Sequence, residues 1–377
     1  MRKKCKLSEL CDVRDGTHDS PEYVQEGYPL VTSKNIVDGR LDLTVVNYIS
    51  EKDYNHINER SKVDLGDIIM PMIGTIGNPH LIEAIPEFAI KNVALIKFPK
   101  SDVSNKFIYY FLQSDAFKTY VAENNRGGTQ KFLSLKDIRN MDIPALSYEK
   151  QLEICAVLDK VSELIGLRKE QLAKLDQLVK SRFIELFGLP VSNSKRWNTE
   201  KMREVAPAVN YSGGFEDTVW LLNLDMVEAQ TGRILDYLYV NEEEVGNSTC
   251  AFNTTNVLYS KLRPYLNKVV IPDRCGYATS ELIPLKPNPM KLERTYLAFM
   301  LRSDEFVNMI NEKVAGAKMP RVSMSDFREF DVPVPPMELQ KQFDAFVEQT
   351  DKSKLAIQQS LDKLELLKKS LMQEHFK

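Results

Sequence analysis

The chain has 377 residues, 50 basic and 53 acidic side chains, and a formal net charge of −3. That length is typical of two or more domains, and a hydrophobic content of 43% is enough for a core in each. The five cysteines lack C-x-x-C spacing, no apolar run approaches a membrane span, and Met1–Lys4 is not followed by the apolar stretch of a signal peptide. We therefore expect a soluble, cytoplasmic protein with no membrane contact, in which any nucleic-acid surface is a local patch.

The first half begins with short, mixed elements. Alternating residues predict a strand over Leu41–Ile49, and apolar runs predict strands near Ile68–Met70, Leu81–Ile85 and Val93–Phe98. The apolar spacing of Asn105–Glu123 then predicts one helix. This order of elements favours a compact α/β domain.

A much longer periodic segment follows at Glu149–Phe187. Its apolar residues recur at steps of three and four, which is the pattern of a coiled-coil seam: Leu158, Val161, Ile165, Leu172, Leu175 and Val179. Gly188-Leu189-Pro190 ends the segment. A helix of this length spans roughly 60 Å at about 1.5 Å per residue, so the pattern predicts a spacer.

The same segment is repeated without a gap 189 residues later, at Glu338–Phe376. Glu149 pairs with Glu338, Gln151 with Gln340, Lys174 with Lys363 and Phe187 with Phe376, so charged and polar positions match as well as apolar ones. We interpret this match as an internal duplication. The second seam comprises Val347, Ile357, Leu361, Leu364 and Leu371, with Lys354 and Lys368 at two positions where a seam favours apolar residues.

The duplication also includes the globular parts. Leu30–Ile36 matches Leu221–Val227 once a small gap is allowed, while the loops between matched positions differ. The predicted fold class is therefore α+β with a pseudo-twofold internal repeat. Two α/β domains, residues 1–146 and 189–335, are separated by two long helices, residues 147–188 and 336–377, that form an antiparallel coiled coil.

Motifs for catalysis are weak throughout. The four histidines lack Cys or His neighbours at metal-ligand spacing, and Gly74-Thr75-Ile76-Gly77 lacks the lysine of a phosphate-binding loop. Asn78-Pro79-His80-Leu81 departs from the Asn/Asp-Pro-Pro-aromatic loop of adenine methyltransferases, and no G-x-S-x-G occurs. We predict no catalytic residue, metal or bound cofactor in this chain.

Polar and basic loops lie at corresponding places in the two halves and are candidates for DNA contact. Arg, Lys and Asn can bind base edges, whereas Ser, Thr and backbone amides bind phosphates. The candidates in the first half are Thr32, Ser33, Lys34, Asn35, Met72, Thr75 and Lys91. Those in the second half are Tyr211, Ser212, Asn223, Lys261, Arg263, Tyr265, Lys268 and Ser280.

The order of these features resembles the specificity subunit of type I restriction-modification systems. Asp142-Ile143-Pro144 is followed by Glu149 and Gln151, and Asp331-Val332-Pro333 is followed by Glu338 and Gln340, each before a long helix. The resemblance covers the whole chain.

It implies two target-recognition domains that each read one half of a split double-stranded DNA site, held apart by paired helices. It also implies two modification subunits, which carry S-adenosylmethionine, and restriction subunits as partners. Two other interpretations remain open: a scaffold protein that ignores DNA sequence, and a solitary enzyme that turns over a substrate by itself.

Overall fold

A computed structural model describes residues 3–37, 39–74, 76–124, 132–215, 217–315 and 319–377. The chain divides into two compact units. Unit 1 comprises residues 1–169 and 359–377, and unit 2 comprises residues 170–358. Each unit contains helices and sheets, which confirms the α+β class. Among the described residues, no helix is both long enough and apolar enough to cross a membrane.

Unit 1 contains two four-stranded sheets. Its strands are β1 (Lys4–Lys6), β2 (Asp12–Asp15), β3 (Tyr23–Val24), β4 (Tyr28–Val31), β5 (Ile36–Val37), β6 (Arg40–Leu41), β7 (Asn47–Ile49), β8 (Ile68–Pro71), β9 (His80–Leu81), β10 (Ala89–Ile90), β11 (Val93–Lys97) and β12 (Asp142–Pro144). The sheet orders are β2-β11-β8-β9 and β10-β4-β7-β3. Its helices are α1 (Leu7–Leu10), α2 (Glu51–Ser61), α3 (Asn105–Phe111), α4 (Asp115–Asn124), α5 (Leu135–Arg139), the first part of α6 (Tyr148–Phe187) and the last part of α11 (Met337–Phe376).

Unit 2 repeats this plan. Its strands are β13 (Thr199–Lys201), β14 (Thr218–Leu222), β15 (Leu238–Asn241), β16 (Thr249–Phe252), β17 (Val257–Ser260), β18 (Val269–Val270), β19 (Gly276–Thr279), β20 (Leu282–Leu285), β21 (Val314–Ala315), β22 (Arg321–Val322) and β23 (Asp331–Pro333). The main sheets have the orders β15-β14-β19-β16 and β18-β17-β20. Its helices are the last part of α6, α7 (Met202–Val205), α8 (Arg294–Arg302), α9 (Asp304–Asn311), α10 (Met324–Arg328) and the first part of α11.

Most of each unit is built on antiparallel pairs, but one parallel pair recurs. In unit 1, β10 runs parallel to β4 with Ile90 opposite Val31, and in unit 2, β19 runs parallel to β14 with Ala278 opposite Leu222. A short 3-10 turn follows β4 and another follows β14, at Ser33–Asn35 and Leu224–Met226. The predicted match of Leu30–Ile36 to Leu221–Val227 is thus a match of strand and turn.

The N-terminal strand of each unit is an element of the repeat that the sequence comparison missed. β1 pairs antiparallel with β12, and β13 pairs in the same way with β23. The Lys6 ammonium lies 2.6 Å from the Asp142 carboxylate, and the Lys201 ammonium lies 2.8 Å from Asp331. The offset here is 195 residues (Lys6 to Lys201) rather than 189, which hides the match from an ungapped comparison.

Two local predictions are wrong. The strand expected over Leu41–Ile49 is two short strands, β6 and β7, because the Asp42 carboxylate accepts hydrogen bonds from the backbone N–H (2.9 Å) and hydroxyl (2.7 Å) of Thr44 and turns the chain. The helix expected over Asn105–Glu123 is two helices, α3 and α4. Ser114 separates them, since its Oγ accepts from the Phe117 N–H at 3.2 Å and caps α4.

The two long helices, α6 and α11, have 40 residues each. Their antiparallel packing is seen within unit 2, where Asp176 lies 2.6 Å from Lys354 and the ring of Phe183 packs 5.5 Å from that of Phe343. Moving forward along α6 therefore means moving backward along α11. Within unit 1, Lys169 of α6 lies 2.9 Å from Glu365 of α11.

The two lysines at seam positions are accommodated differently. Lys354 forms the ion pair with Asp176, so its charge has a partner on the facing helix. The Lys368 ammonium lies 5.6 Å from the centre of the Tyr110 ring, and burial lowers the pKa of this lysine. The second seam therefore keeps its packing without an apolar residue at these two positions.

Candidate nucleic-acid interface

Five of the predicted site residues of unit 1, Thr32 to Asn35 and Lys91, lie where the parallel strands β4 and β10 end. Lys91 follows β10, and its N–H donates to the carbonyl oxygen of Val31 at 2.9 Å, which places it beside Thr32 at the end of β4. The carboxyl ends of parallel strands lie at the same edge of a sheet, which is where ligands bind in many open sheets. We call Thr32–Asn35 together with Lys91 the strand-end surface of unit 1.

The turn in this surface is shaped by Asn35. Its Oδ1 accepts from the N–H (3.1 Å) and hydroxyl (3.0 Å) of Thr32, and its Nδ2 donates to the carbonyl oxygens of Asp42 (3.1 Å) and Val45 (3.0 Å). Only 5% of Asn35 is exposed. Its side chain therefore positions the loop, while exposed Lys34 and half-buried Ser33 present their side chains at the surface.

Unit 2 forms the corresponding strand-end surface after β14 and β19. Asn223 follows β14 and Ser280 follows β19 by one residue. Lys268 lies beside Asn223, because its Nζ donates to the carbonyl oxygen of Leu224 at 2.8 Å. Burial lowers the pKa of Lys268. We call Asn223, Lys268 and Ser280, with Lys261, the strand-end surface of unit 2.

Lys261 reaches this surface through two backbone hydrogen bonds. Its N–H donates to the carbonyl oxygen of Glu281 at 3.0 Å, and its own carbonyl oxygen accepts from Val322 at 2.9 Å. In unit 1 the carbonyl oxygen of Met72 accepts from Leu133 at the same distance of 2.9 Å. Met72 and Lys261 therefore hold equivalent positions, 189 residues apart, in loops of different chemistry. The predicted site residue Thr75, in the same loop as Met72, lies outside the described residues.

Arg263 and Tyr265 extend the surface of unit 2. Arg263 is exposed, has a φ of 49°, and its N–H donates to the carbonyl oxygen of Pro320 at 2.8 Å. The 3-10 turn Pro264–Leu266 follows it and leaves 48% of Tyr265 exposed. A cation and an aromatic ring thus project from one tightly held turn.

Tyr211 and Ser212 belong to a separate group in unit 2. The Tyr211 ring lies 5.6 Å from the ring of Phe215, which in turn lies 4.6 Å from the ring of Tyr277. The Tyr211 N–H donates to the carbonyl oxygen of Ala251 at 2.9 Å, so this segment lies along β16. Among the described residues, no hydrogen bond or ring contact joins either residue directly to Lys261 or Lys268.

Arg321 is a candidate that the sequence analysis missed. Its backbone pairs antiparallel with that of Leu262, the residue after Lys261. Its guanidinium lies 2.9 Å from the carboxylate of Glu281, the residue whose carbonyl oxygen accepts the Lys261 N–H. Arg321 matches Phe132 at the common offset of 189 residues. An arginine in one copy at a position where the other copy has an aromatic residue could have identified Arg321 as a candidate from the sequence.

The predicted helix-pair residues are mostly removed from solvent. Five are buried: Leu158, Val161, Val179, Val347 and Leu361. Six are half-buried: Ile165, Leu172, Leu175, Ile357, Leu364 and Leu371. Other apolar residues of the same helices stay exposed, namely Leu152, Val157, Leu167, Leu178, Ile184, Leu355, Leu366 and Leu367. The helices therefore carry exposed apolar side chains in addition to the packed seam.

The site has the chemistry of a binding surface. In the part of the chain that the structure describes, no group of three or more His, Cys, Asp or Glu side chains could hold a metal ion. The strand-end surfaces instead supply hydroxyl, amide and ammonium donors on rigid turns. Such donors suit phosphate and base-edge acceptors.

Comparison with known proteins agrees with this description. The family model of the type I restriction modification DNA specificity domain matches residues 2–177 and 231–367. The EcoDI specificity subunit of Escherichia coli, a type I restriction enzyme subunit, is 22% identical over 285 residues, which is 66% of this chain and 63% of that protein. The putative MjaX specificity subunit of Methanocaldococcus jannaschii is 22% identical over 373 residues, covering 89% of this chain and 83% of the relative.

Two solved structures share the fold. A type I restriction-modification S subunit from M. genitalium aligns over 100% of this chain and 96% of its own, with a TM-score of 0.58 and 16% identity. A chain from a study of complex assembly and conformational transition in a type I restriction-modification system aligns over 100% and 97%, with a TM-score of 0.60 and 17% identity. Since the family model matches well over half of the chain, the protein belongs to the type I restriction-modification DNA specificity family.

Proposed function

We propose that this chain is the non-catalytic DNA-recognition subunit of a type I restriction-modification complex. Units 1 and 2 contain its two target-recognition domains, residues 1–146 and 189–335, and each domain reads one half of a bipartite double-stranded site. The observation that carries this proposal is the duplicated strand-end surface. The same parallel strand pair and turn recur in both units, but the side chains that they present differ.

The difference in side chains supports two distinct half-sites. Unit 1 presents Thr32, Lys34 and Lys91 near a loop with apolar Met72, whereas unit 2 presents Lys261, Arg263 and Lys268. Lysine and threonine suit phosphate contacts, and an exposed arginine on a fixed turn suits the major-groove edge of guanine. A net charge of −3 fits this role because the cations are gathered locally.

The long helices are proposed to fix the gap between the half-sites and to anchor two modification subunits. The antiparallel arrangement, observed between Asp176 and Lys354 and between Phe183 and Phe343, is compatible with a pseudo-twofold complex. The exposed apolar residues on α6 and α11 supply a surface for partner helices. Restriction subunits would join the same cytoplasmic complex.

Catalysis is assigned to the partners. In this proposal the modification subunits bind S-adenosylmethionine and methylate adenine, and this chain holds no cofactor. Its own contribution is to select the DNA sequence.

Mapping of methylated adenines tests the proposal. DNA from cells with this chain should carry methylation at a bipartite motif with a fixed gap, and DNA from cells lacking only this chain should not. A methylation pattern that does not change would contradict the proposal. A purified complex that ignores DNA sequence would favour a scaffold, and turnover of a substrate by the chain alone would favour an enzyme.

A further inference from the structure

His18 in unit 1 is held by two oxygen atoms at once. Its Nε2 lies 2.7 Å from Oδ2 of Asp15, and its Nδ1 lies 2.7 Å from Oδ1 of Asn92. The Asp15 side chain is only 8% exposed, whereas the His18 side chain is 63% exposed. A largely exposed ring is thus held between Asp15, which precedes it in the same segment, and Asn92, which is distant along the chain.

Two acceptors require two donors. A neutral imidazole has one N–H and one lone pair, so only the imidazolium donates to both oxygens. The charged groups that act on the ring are Asp15, on β2, and Arg60, at the end of α2, whose Nη2 lies 2.6 Å from the other Asp15 oxygen. The hydrogen bonds to Asn92 and Asp15 raise the pKa of His18, while burial and Arg60 oppose that rise.

This arrangement adjoins the strand-end surface of unit 1. Thr17 bridges to Lys91, and the Asn92 N–H donates to the carbonyl oxygen of Thr17 at 3.2 Å. The Lys91 ammonium donates to Oγ of Ser20 at 2.7 Å. His18 therefore lies in a segment that is tied to Lys91 from both sides, and Lys91 is in turn bonded to the end of β4.

We propose that protonated His18 is a positioning residue for DNA recognition by unit 1. As an imidazolium it clamps Thr17–Ser20 against Asn92 and so fixes Lys91 beside Thr32. This inference rests on the proposed function. When the proton leaves, the bond to Asp15 loses its charge assistance, and the Nδ1 contact is kept only when the Asn92 amide turns so that its Nδ2 donates. The clamp therefore weakens and the segment loosens.

Unit 2 supplies an internal control. Val13 pairs with Ile96 in unit 1, and Ala208 bridges to Leu285 at the corresponding place in unit 2. The segment that follows Ala208 continues to Tyr211-Ser212-Gly213-Gly214 and has no histidine. A proton-linked effect of His18 should therefore concern one half-site only.

The first experiment measures DNA binding by the assembled complex with its modification subunits at pH 6.0 and pH 8.5. Duplexes carry the full site, or the site with either half-site scrambled. With the wild-type chain, scrambling the half-site of unit 1 lowers the DNA affinity by some factor at each pH. That factor should be roughly three- to tenfold smaller at pH 8.5 than at pH 6.0, which corresponds to a modest change in the His18 pKa on binding. With His18→Gln this pH dependence should disappear. Scrambling the half-site of unit 2 should lower the affinity by the same factor in the wild type and in His18→Gln.

The second experiment follows the ring signals of the four histidines by NMR in the full chain after selective ¹³C labelling. The signal missing from His18→Gln identifies His18. It should titrate above the ordinary value of about 6.5, and Asn92→Ala should lower that midpoint.

The outcomes are distinguishable. A complex without sequence-specific binding at any pH would overturn the proposed function together with this inference. Specific binding with the same pH dependence in wild type and His18→Gln would overturn the inference alone. A His18 midpoint at or below the ordinary value would overturn it as well.

Discussion

Gln151 and Gln340 hold the same structural position in the two units. The Oε1 of Gln151 accepts from the Ser104 N–H at 2.9 Å, and the Oε1 of Gln340 accepts from the Glu293 N–H at 2.8 Å, in each case from a residue 47 positions earlier. Both side chains are buried. Each glutamine thereby joins the start of a long helix to the loop that precedes α3 or α8. The matched polar residue in the sequence therefore has a structural role.

Replacing Gln340 should destabilise unit 2. Gln340→Ala leaves the Glu293 N–H and the carbonyl oxygens of Lys291 and Pro335 without their side-chain partner, at a cost of about 2–4 kcal/mol. Both tryptophans, Trp197 and Trp220, lie in unit 2, so urea unfolding followed by tryptophan fluorescence reports on this unit.

Gln342→Ala, at an exposed position of the same helix, is the matched control. It should shift the urea midpoint only slightly. An equal shift in the two variants would show that Gln340 has no special structural role.

The duplication was predictable from the sequence because the repeated helical segments are long and align without a gap. The helices Tyr148–Phe187 and Met337–Phe376 lie inside the predicted spacers, residues 147–188 and 336–377, and each ends at the phenylalanine that closes the repeated segment. Heptad spacing is a local property of the sequence, and repetition at one offset reinforces it. The presence of Lys354 and Lys368 at seam positions could not be explained from the sequence, since their partners Asp176 and Tyr110 are distant along the chain.

Short elements were less predictable because their cause is a single side chain or a distant strand. Ser114 caps α4 and so starts a new helix within an otherwise continuous apolar pattern. Asn35 has the residue type of a base reader, but its four hydrogen bonds are made inside unit 1. Sequence can place a polar residue in a loop, whereas the direction of its side chain depends on contacts made elsewhere in the fold.

Removing a cation from either strand-end surface should weaken DNA binding in a way that depends on its role. Lys34→Ala or Lys261→Ala should lower the affinity for all duplexes and reduce the salt slope by about 1, as expected for lost phosphate contacts. Arg263→Ala should instead relax recognition at one base pair, at a cost of about 1–3 kcal/mol. Titrations of specific and scrambled duplexes at several salt concentrations separate the two effects.

Asn35→Ala tests the structural assignment in the same assay. It should weaken recognition of one half-site through disorder of the turn without changing the salt slope. Lys118→Ala serves as a control for loss of charge, because this exposed lysine lies 3.4 Å from Asp115 on a helix outside both strand-end surfaces. Unchanged binding in Lys34→Ala, Lys261→Ala and Arg263→Ala would remove these residues from the interface.

Exchange of one domain should change one half-site. Residues 1–142 end within β12, at the boundary where the first domain meets the long helix. Replacing them with the corresponding domain of a relative should give a methylated motif with a new first half, the original second half and the original gap. A change in both halves would contradict the assignment of one half-site to each unit.

The length of the paired helices should set the gap between the half-sites. Seven residues inserted after Leu172 and seven after Leu361 keep each apolar seam on its face, because seven residues are two turns of a coiled coil. The pair then lengthens by about 10.5 Å at 1.5 Å per residue. Base pairs stack about every 3.4 Å, so the recognised gap should increase by roughly three base pairs while both half-site sequences stay the same.

A single insertion after Leu172 is the matched control for this test. It shifts one seam past the other and separates pairs such as Asp176 with Lys354, so it should impair assembly rather than produce a longer gap. Methylation maps of the single and double variants give the answer. If the double variant is folded and active but methylates sites with the original gap, the length of the helices does not set the gap between the half-sites.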